Sequence, residues 1–168
     1  MLQHNNITDV YKTFFEGTPN LTSLDLTGNE QLKLHANAFQ NLSSLRHLIL
    51  MDCGLTTLED SLLEPLTSLE RLSLHGNQLY RLSATVFLNQ RNLTHLSLNR
   101  NQLQELPAGI FDSLVGATQI DLGHNQLKSL PENLFAKNRN LSAFSLVENG
   151  DLCIGPPSDC HPQLRLRY

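Results

Sequence analysis

The chain has 168 residues, room for one domain with a sizeable core, and its net charge is −4 with 17% charged residues. That balance excludes the basic footprint of a nucleic-acid binder and the charge run of an acidic tail. No apolar run approaches the length that spans a bilayer, so direct membrane insertion is excluded as well.

In chain order, Asn5 opens a ladder. Asn5, Asn29, Asn77, Asn101, Asn125 and Asn149 stand in steps of 24, and Cys53 occupies the missing rung. A large apolar residue follows each rung but the last at ten residues: Phe15, Phe39, Leu63, Phe87, Phe111 and Phe135. Leucines precede each rung at a fixed offset, as in Leu69, Leu72, Leu74, Asn77, Leu79 and again Leu93, Leu96, Leu98, Asn101, Leu103. The unit reads L-x-x-L-x-L-x-x-N-x-L. In a strand the L-x-L pair faces one side, and a single unit buries too little apolar surface to stand alone, so units must stack on one core. An asparagine where the strand turns away donates and accepts at once, which suits loop backbone groups buried by stacking. Cys53 donates weakly and should make a tolerated but weaker rung.

Residues 1–20 are expected to form a partial first coil, because Asn5, Ile7, Val10 and Phe15 match the back half of the unit with no full strand ahead of them. Six repeats are predicted over 21–149, starting at Leu21, Leu45, Leu69, Leu93, Ala117 and Leu141, and residues 150–168 form a C-terminal cap, the whole being a single domain. Leu32 and Leu152 come three residues after their asparagine and not two, which reads as a local bulge at constant repeat length. Met1-Leu2-Gln3-His4 lacks a signal peptide's apolar stretch and is read as the start of a mature fragment, with no bearing on the cytosol.

This pattern resembles the leucine-rich repeat, and repeats three to five, with Leu106-Pro107 and Leu130-Pro131, resemble the typical 24-residue class of Toll-like receptor ectodomains, variable lymphocyte receptors and short secreted immune proteins built of repeats alone. The resemblance implies an α/β solenoid: a horseshoe with a parallel sheet on the concave side and loops and short helical turns on the convex side. The tail is similar to the cysteine-bearing cap of those proteins, with two cysteines where they usually carry four. Such ectodomains usually seal the first coil with a cysteine-bearing cap too. None precedes Asn5, so an open end with an unpaired strand edge is expected, and with it a homodimer through residues 1–40. A monomer whose first coil covers itself is the alternative.

Five sequons, at Asn6, Asn20, Asn41, Asn92 and Asn140, suggest glycosylation, although a chain rich in Asn, Leu, Ser and Thr produces some by chance. Cys153 and Cys160 bracket a tight loop as a terminal disulfide would, leaving Cys53 over. Together these suggest a secreted or extracellular protein.

The resemblance places binding on the concave strands, at the variable positions of the unit. The third position reads Ser23, His47, Arg71, His95, Gln119, Ala143, and the fifth Asp25, Ile49, Ser73, Ser97, Asp121, Ser145. The seventh reads Thr27, Met51, His75, Asn99, Gly123, Val147, and the eighth Gly28, Asp52, Gly76, Arg100, His124, Glu148. The candidate ligand-binding set is Arg46, His47, Ile49, Met51, Arg71, His75, His95, Asn99 and Arg100. Its arginines suit phosphates or carboxylates by bidentate contact, and its histidines add charge below about pH 6.5; a merely solvated polar face is the bland reading. The histidines do not all share one column and no acid with clear ligand geometry joins them, so neither a metal nor any other cofactor is expected. Nor is catalysis: there is no nucleophile elbow, no phosphate-cradling loop, and Asp25 and Asp121 stand about 19 Å apart by strand spacing. The resemblance implies innate immunity, with a microbial glycolipid such as lipopolysaccharide as ligand. An adhesion or matrix protein with a protein partner, and an intracellular scaffold, are the alternatives.

Overall fold

A computed structural model describes residues 2–150 and 152–154. Each repeat contributes a three-residue strand on its L-x-L segment: β2 (Ser23–Asp25), β4 (His47–Ile49), β5 (Arg71–Ser73), β6 (His95–Ser97), β7 (Gln119–Asp121) and β9 (Ala143–Ser145). They form one parallel six-stranded sheet in the order β2-β4-β5-β6-β7-β9, the order of the chain. Register follows the period, so Leu24 pairs with Leu48, Leu72 with Leu96, and Ile120 with Phe144. The backbone ladder continues past each strand, as in Leu50 N–H to the Ser73 carbonyl at 2.9 Å and Leu98 N–H to the Asp121 carbonyl at 2.8 Å. Two short parallel pairs lie further along the coil: β1 (Asp9–Val10) with β3 (Lys33–Leu34), and β8 (Ser129–Leu130) with β10 (Cys153–Ile154). The molecule is thus a solenoid of stacked coils, as the period predicts.

The core is one continuous cluster running through every coil. Leu48, Leu50, Leu72, Leu74, Leu96 and Leu98 close it from the sheet side, each worth about 2 kcal/mol relative to exposure. From the far side it is closed by the phenylalanine ladder, with Phe87 and Phe111 stacked at 6.2 Å and Phe111 and Phe135 at 5.7 Å. Leu63 takes that ladder position within α1 (Asp60–Leu63), the only helix among the described residues; the other coils pass the far side as turns.

The asparagine ladder does what its chemistry allows. Asn101 is buried; its Nδ2 donates to the carbonyls of Leu74 (2.9 Å) and Leu98 (3.0 Å), and its Oδ1 accepts the N–H of Leu79 at 3.0 Å. One side chain therefore serves two coils, its own and the one before. Asn29, Asn77, Asn125 and Asn149 repeat the pattern.

Asn5, placed on the ladder by spacing, is exposed instead, and among the described residues its side chain bridges no second coil. Its amide turns back onto the Gln3 carbonyl at 2.7 Å. The first coil also runs further than the sequence suggests: Leu2 and His4 N–H groups donate to the carbonyls of Asp25 (3.1 Å) and Thr27 (2.8 Å). Residues 2–4 therefore lie along β2, and the edge expected to be unpaired is partly covered by the chain itself.

Candidate functional site

The coils spend their interior positions on structure and leave the outer face of the sheet free. That face forms a cleft of about 860 Å³, lined by third-position side chains Ser23, His47, Arg71, His95, Gln119 and Ala143, by fifth-position Ile49, Ser73, Ser97, Asp121 and Ser145, and by Glu70 at its border. Strand alternation points the third and fifth positions away from the core; the fourth-position residues Leu48, Leu72, Leu96, Ile120 and Phe144 also border the cleft, the first four buried and Phe144 56% exposed.

Of the nine candidate binding residues, the structure brings His47, Ile49, Arg71 and His95 together on this cleft. The Cα register runs His47 to Arg71 to His95 on adjacent strands. Arg46 stands one residue before β4, outside the lining, with its guanidinium paired to Glu70 at 2.6 Å. Met51, His75, Asn99 and Arg100 lie beyond the strand ends and are not part of the lining either. There the chain turns, and Arg100 takes a φ of 55°, so the alternation that governs the strands no longer applies. These four side chains form a rim. Within it Asn99 Oδ1 meets His75 Nδ1 at 2.9 Å and accepts from the Ser97 hydroxyl at 2.6 Å.

Electrostatics sharpen the picture. Asp121 turns its Oδ1 onto the Gly123 N–H at 3.0 Å, and Asp25 does the same with Thr27 at 2.9 Å. Burial works to raise the Asp25 carboxyl, but hydrogen bonds from Thr27 and Gln3 outweigh it and hold the group below its usual range. His95 lies below its ordinary value because it is partly desolvated and because Arg71 sits beside it. Its Nδ1 meets the Thr94 hydroxyl at 2.8 Å.

The remaining predicted positions are dispersed. Asn6 and Asn20 are exposed and Asn41 is half-buried. Asn92 and Asn140 are exposed while donating to the preceding coil's carbonyls at Thr67 (2.9 Å) and Val115 (3.0 Å). Cys153 lies in β10, and Cys160 falls outside the described residues, so the bridge between them does too. Cys53 is a free, fully buried thiol inside the ladder. Sequence reasoning missed Gln90 and Asn138, both buried in a column otherwise filled by Leu42, Leu66 and Leu114. Their amides hold carbonyls of the preceding coil at Leu63 (2.6 Å) and at Phe111 and Leu114 (2.8 and 2.9 Å). The 24-residue column was the signal that would have found them.

Among the described residues no group of histidines, cysteines and acids could hold a metal ion, and no helix is long and apolar enough to cross a membrane. A stack of repeats with a rigid interior and a variable, solvent-filled outer face is the architecture of a binding scaffold. The family model described as leucine rich repeat matches residues 1–55, 47–103 and 91–150, and the chain belongs to the leucine-rich-repeat family. That family is in general a non-enzymatic scaffold for protein interaction. No curated protein matches the chain.

Proposed function

We propose that this protein is an extracellular recognition module that holds a protein ligand along the cleft of its sheet. The observation that carries the proposal is the division of labour in each coil. Leucines, phenylalanines and asparagines are committed to the stack, while His47, Ile49, Arg71, His95 and Gln119 bear no structural duty common to the repeat and share one groove. Exposed sequons at Asn6, Asn20, Asn92 and Asn140, and the spacing of Cys153 and Cys160 as a disulfide, support the extracellular setting. The whole chain is read as one domain, with residues 150–168 as its cap. Association of two copies through the first coil belongs to the same reading, since Tyr11 and Phe14 there remain 50% and 48% exposed.

A microbial glycolipid such as lipopolysaccharide, bound in innate immunity, is the second reading, favoured by Arg71 standing between two histidines. Protein comes first because Arg46 is neutralised by Glu70 and Arg100 stands outside the lining, which leaves one guanidinium in the cleft where several phosphates would call for more. The test is a selection from a displayed peptide library on the glycosylated full chain, repeated on an Ile49→Asp/Arg71→Glu variant whose circular dichroism matches wild type. Peptides enriched by wild type should be lost on the variant; if both enrich the same peptides, the groove is not the site. Lipopolysaccharide titrated against the same pair decides the second reading.

A further inference from the structure

We infer that the row His47–Arg71–His95 is a subsite for one tetrahedral oxyanion, a phosphate monoester or sulfate ester carried on a side chain of the protein ligand. The inference rests on the groove reading above and specifies what the groove takes.

Three observations converge. First, the Arg71 guanidinium makes no ion pair: among the described residues those pairs are His35–Asp9, Arg46–Glu70 and Lys137–Asp112. Second, the acids that face the row are already engaged. Glu70 is held by Arg46, Asp121 by the Gly123 N–H, and Asp25, at the far end of the sheet, by Thr27 and Gln3. The centre of an acidic protein is thus left with one unmatched cation between two titratable rings.

Third, the tautomer of His95 is set by its neighbours. The Thr94 hydroxyl donates to the Glu70 carbonyl at 2.9 Å, so it has no proton left for the ring. It must accept from His95 Nδ1–H across their 2.8 Å contact. The neutral ring therefore carries its bare nitrogen at Nε2. Only the protonated ring offers a donor there, and partial burial beside Arg71 keeps it neutral while the cleft is empty. An anion on Arg71 reverses that balance by attracting the proton. Across the row, His47 stands next to Arg71 on β4 with Ser23 as its neighbour on β2, and Gln119 flanks His95 on β7.

The geometry favours a tetrahedral group over a carboxylate. The arginine fork uses both oxygens of a carboxylate, whereas a phosphate or sulfate ester keeps a third oxygen for an imidazolium. Adjacent strands are about 4.8 Å apart, so a group centred on Arg71 is within reach of both rings.

The test is an NMR titration of the isotopically labelled full chain with phenyl phosphate, phenyl sulfate and acetate, following the ring signals of His47 and His95. Both esters should shift the two rings and raise the apparent pKa of His95, while acetate at equal concentration should not. Arg71→Ala should weaken ester binding about tenfold or more, and Arg71→Lys should restore only part of it. Phenyl sulfate should bind about tenfold tighter at about pH 5.5 than at about pH 8, whereas phenyl phosphate should level off near its own second ionisation at about 6. Thr94→Val should flatten the sulfate profile, because the tautomer is then free. Equal shifts with acetate, no shift with either ester, or unchanged binding in Arg71→Ala overturns the subsite. If lipopolysaccharide displaces phenyl phosphate and neither a phosphorylated nor a sulfated peptide does, the protein source is overturned. Peptides that depend on Ile49 but ignore phenyl phosphate would leave the groove reading standing and remove the subsite alone.

Discussion

Two rungs of the same ladder, Asn101 and Cys53, solve one problem with different chemistry, and the coil before each records the difference. Asn101 donates to the carbonyls of Leu74, Leu98 and, at 3.3 Å, Asn99, and accepts the N–H of Leu79, the residue 22 positions back, so its coil and the preceding one are fastened by a single amide. Cys53 is just as buried, and its thiol reaches the carbonyls of Leu26 (3.2 Å) and Met51 (3.3 Å). A sulfur is a poor acceptor. The position 22 residues before Cys53 is Gln31, and there the leucine has slipped one place to Leu32, whose N–H closes a turn onto the Asn29 carbonyl at 2.9 Å. Where the rung cannot accept, the previous coil satisfies itself. The bulge seen in the sequence at Leu32 thus falls in the coil that lies before the cysteine rung.

That comparison predicts unequal costs. Asn101→Ala strands the buried Leu79 N–H, takes one of two amide donors from the Leu74 and Leu98 carbonyls, which Asn77 and Asn125 still hold, and leaves a cavity. It should lower stability by about 3 kcal/mol in urea unfolding; a loss near 1 kcal/mol would show that leucine packing alone couples the coils. Gly76→Ala comes next. Gly76 precedes the Asn77 rung at a φ of +68°, and the Asp52 carboxylate, from the residue before Cys53, lies where its Cβ would go. Both strain and displacement apply, for about 2 kcal/mol. Cys53→Ala removes one weak donor and one atom of packing, and should cost about 1 kcal/mol.

The same thiol also predicts a pH dependence. Burial pushes the Cys53 thiol from 9.0 up to about 11, although the Asn29 backbone beside it works the other way. The folded chain then holds its proton more tightly than the unfolded chain does. The stability this gives is complete below 9.0 and declines as pH rises toward about 11. Wild type should therefore lose stability relative to Cys53→Ala over that window, measured by unfolding at a series of alkaline pH values; parallel curves would mean that the thiol is wetter than the fold implies.

Much of the fold was legible because stacking makes chemistry periodic. Any residue 24 places from another is its neighbour, so the strands, their register, the phenylalanine ladder and the asparagine rungs all follow from spacing. The Arg46–Glu70 pair was legible by the same rule and was overlooked, because the arginines were treated as a group by charge and not column by column. Met51, His75, Asn99 and Arg100 stand outside the cleft lining for a different reason. A period of two holds only while the chain is extended, and the strands last three residues before the backbone turns into left-handed conformations such as that of Arg100. Asn5 was the hardest rung to read, since it obeys the period and yet turns its amide onto the Gln3 carbonyl within its own coil.

By itself, the sequence determined which residues meet: the 24-residue repeat sets coil against coil, and the apolar pattern sets inside against outside. Only the tertiary structure decided what those neighbours do with one another. It pairs Arg46 with Glu70 and leaves Arg71 unmatched, and it commits the Thr94 proton to a carbonyl so that His95 must carry its own on Nδ1. The reason is physical. Register is a one-dimensional property that spacing specifies, whereas hydrogen bonds and charges are shared among competing partners in three dimensions, and the outcome depends on every claimant within reach.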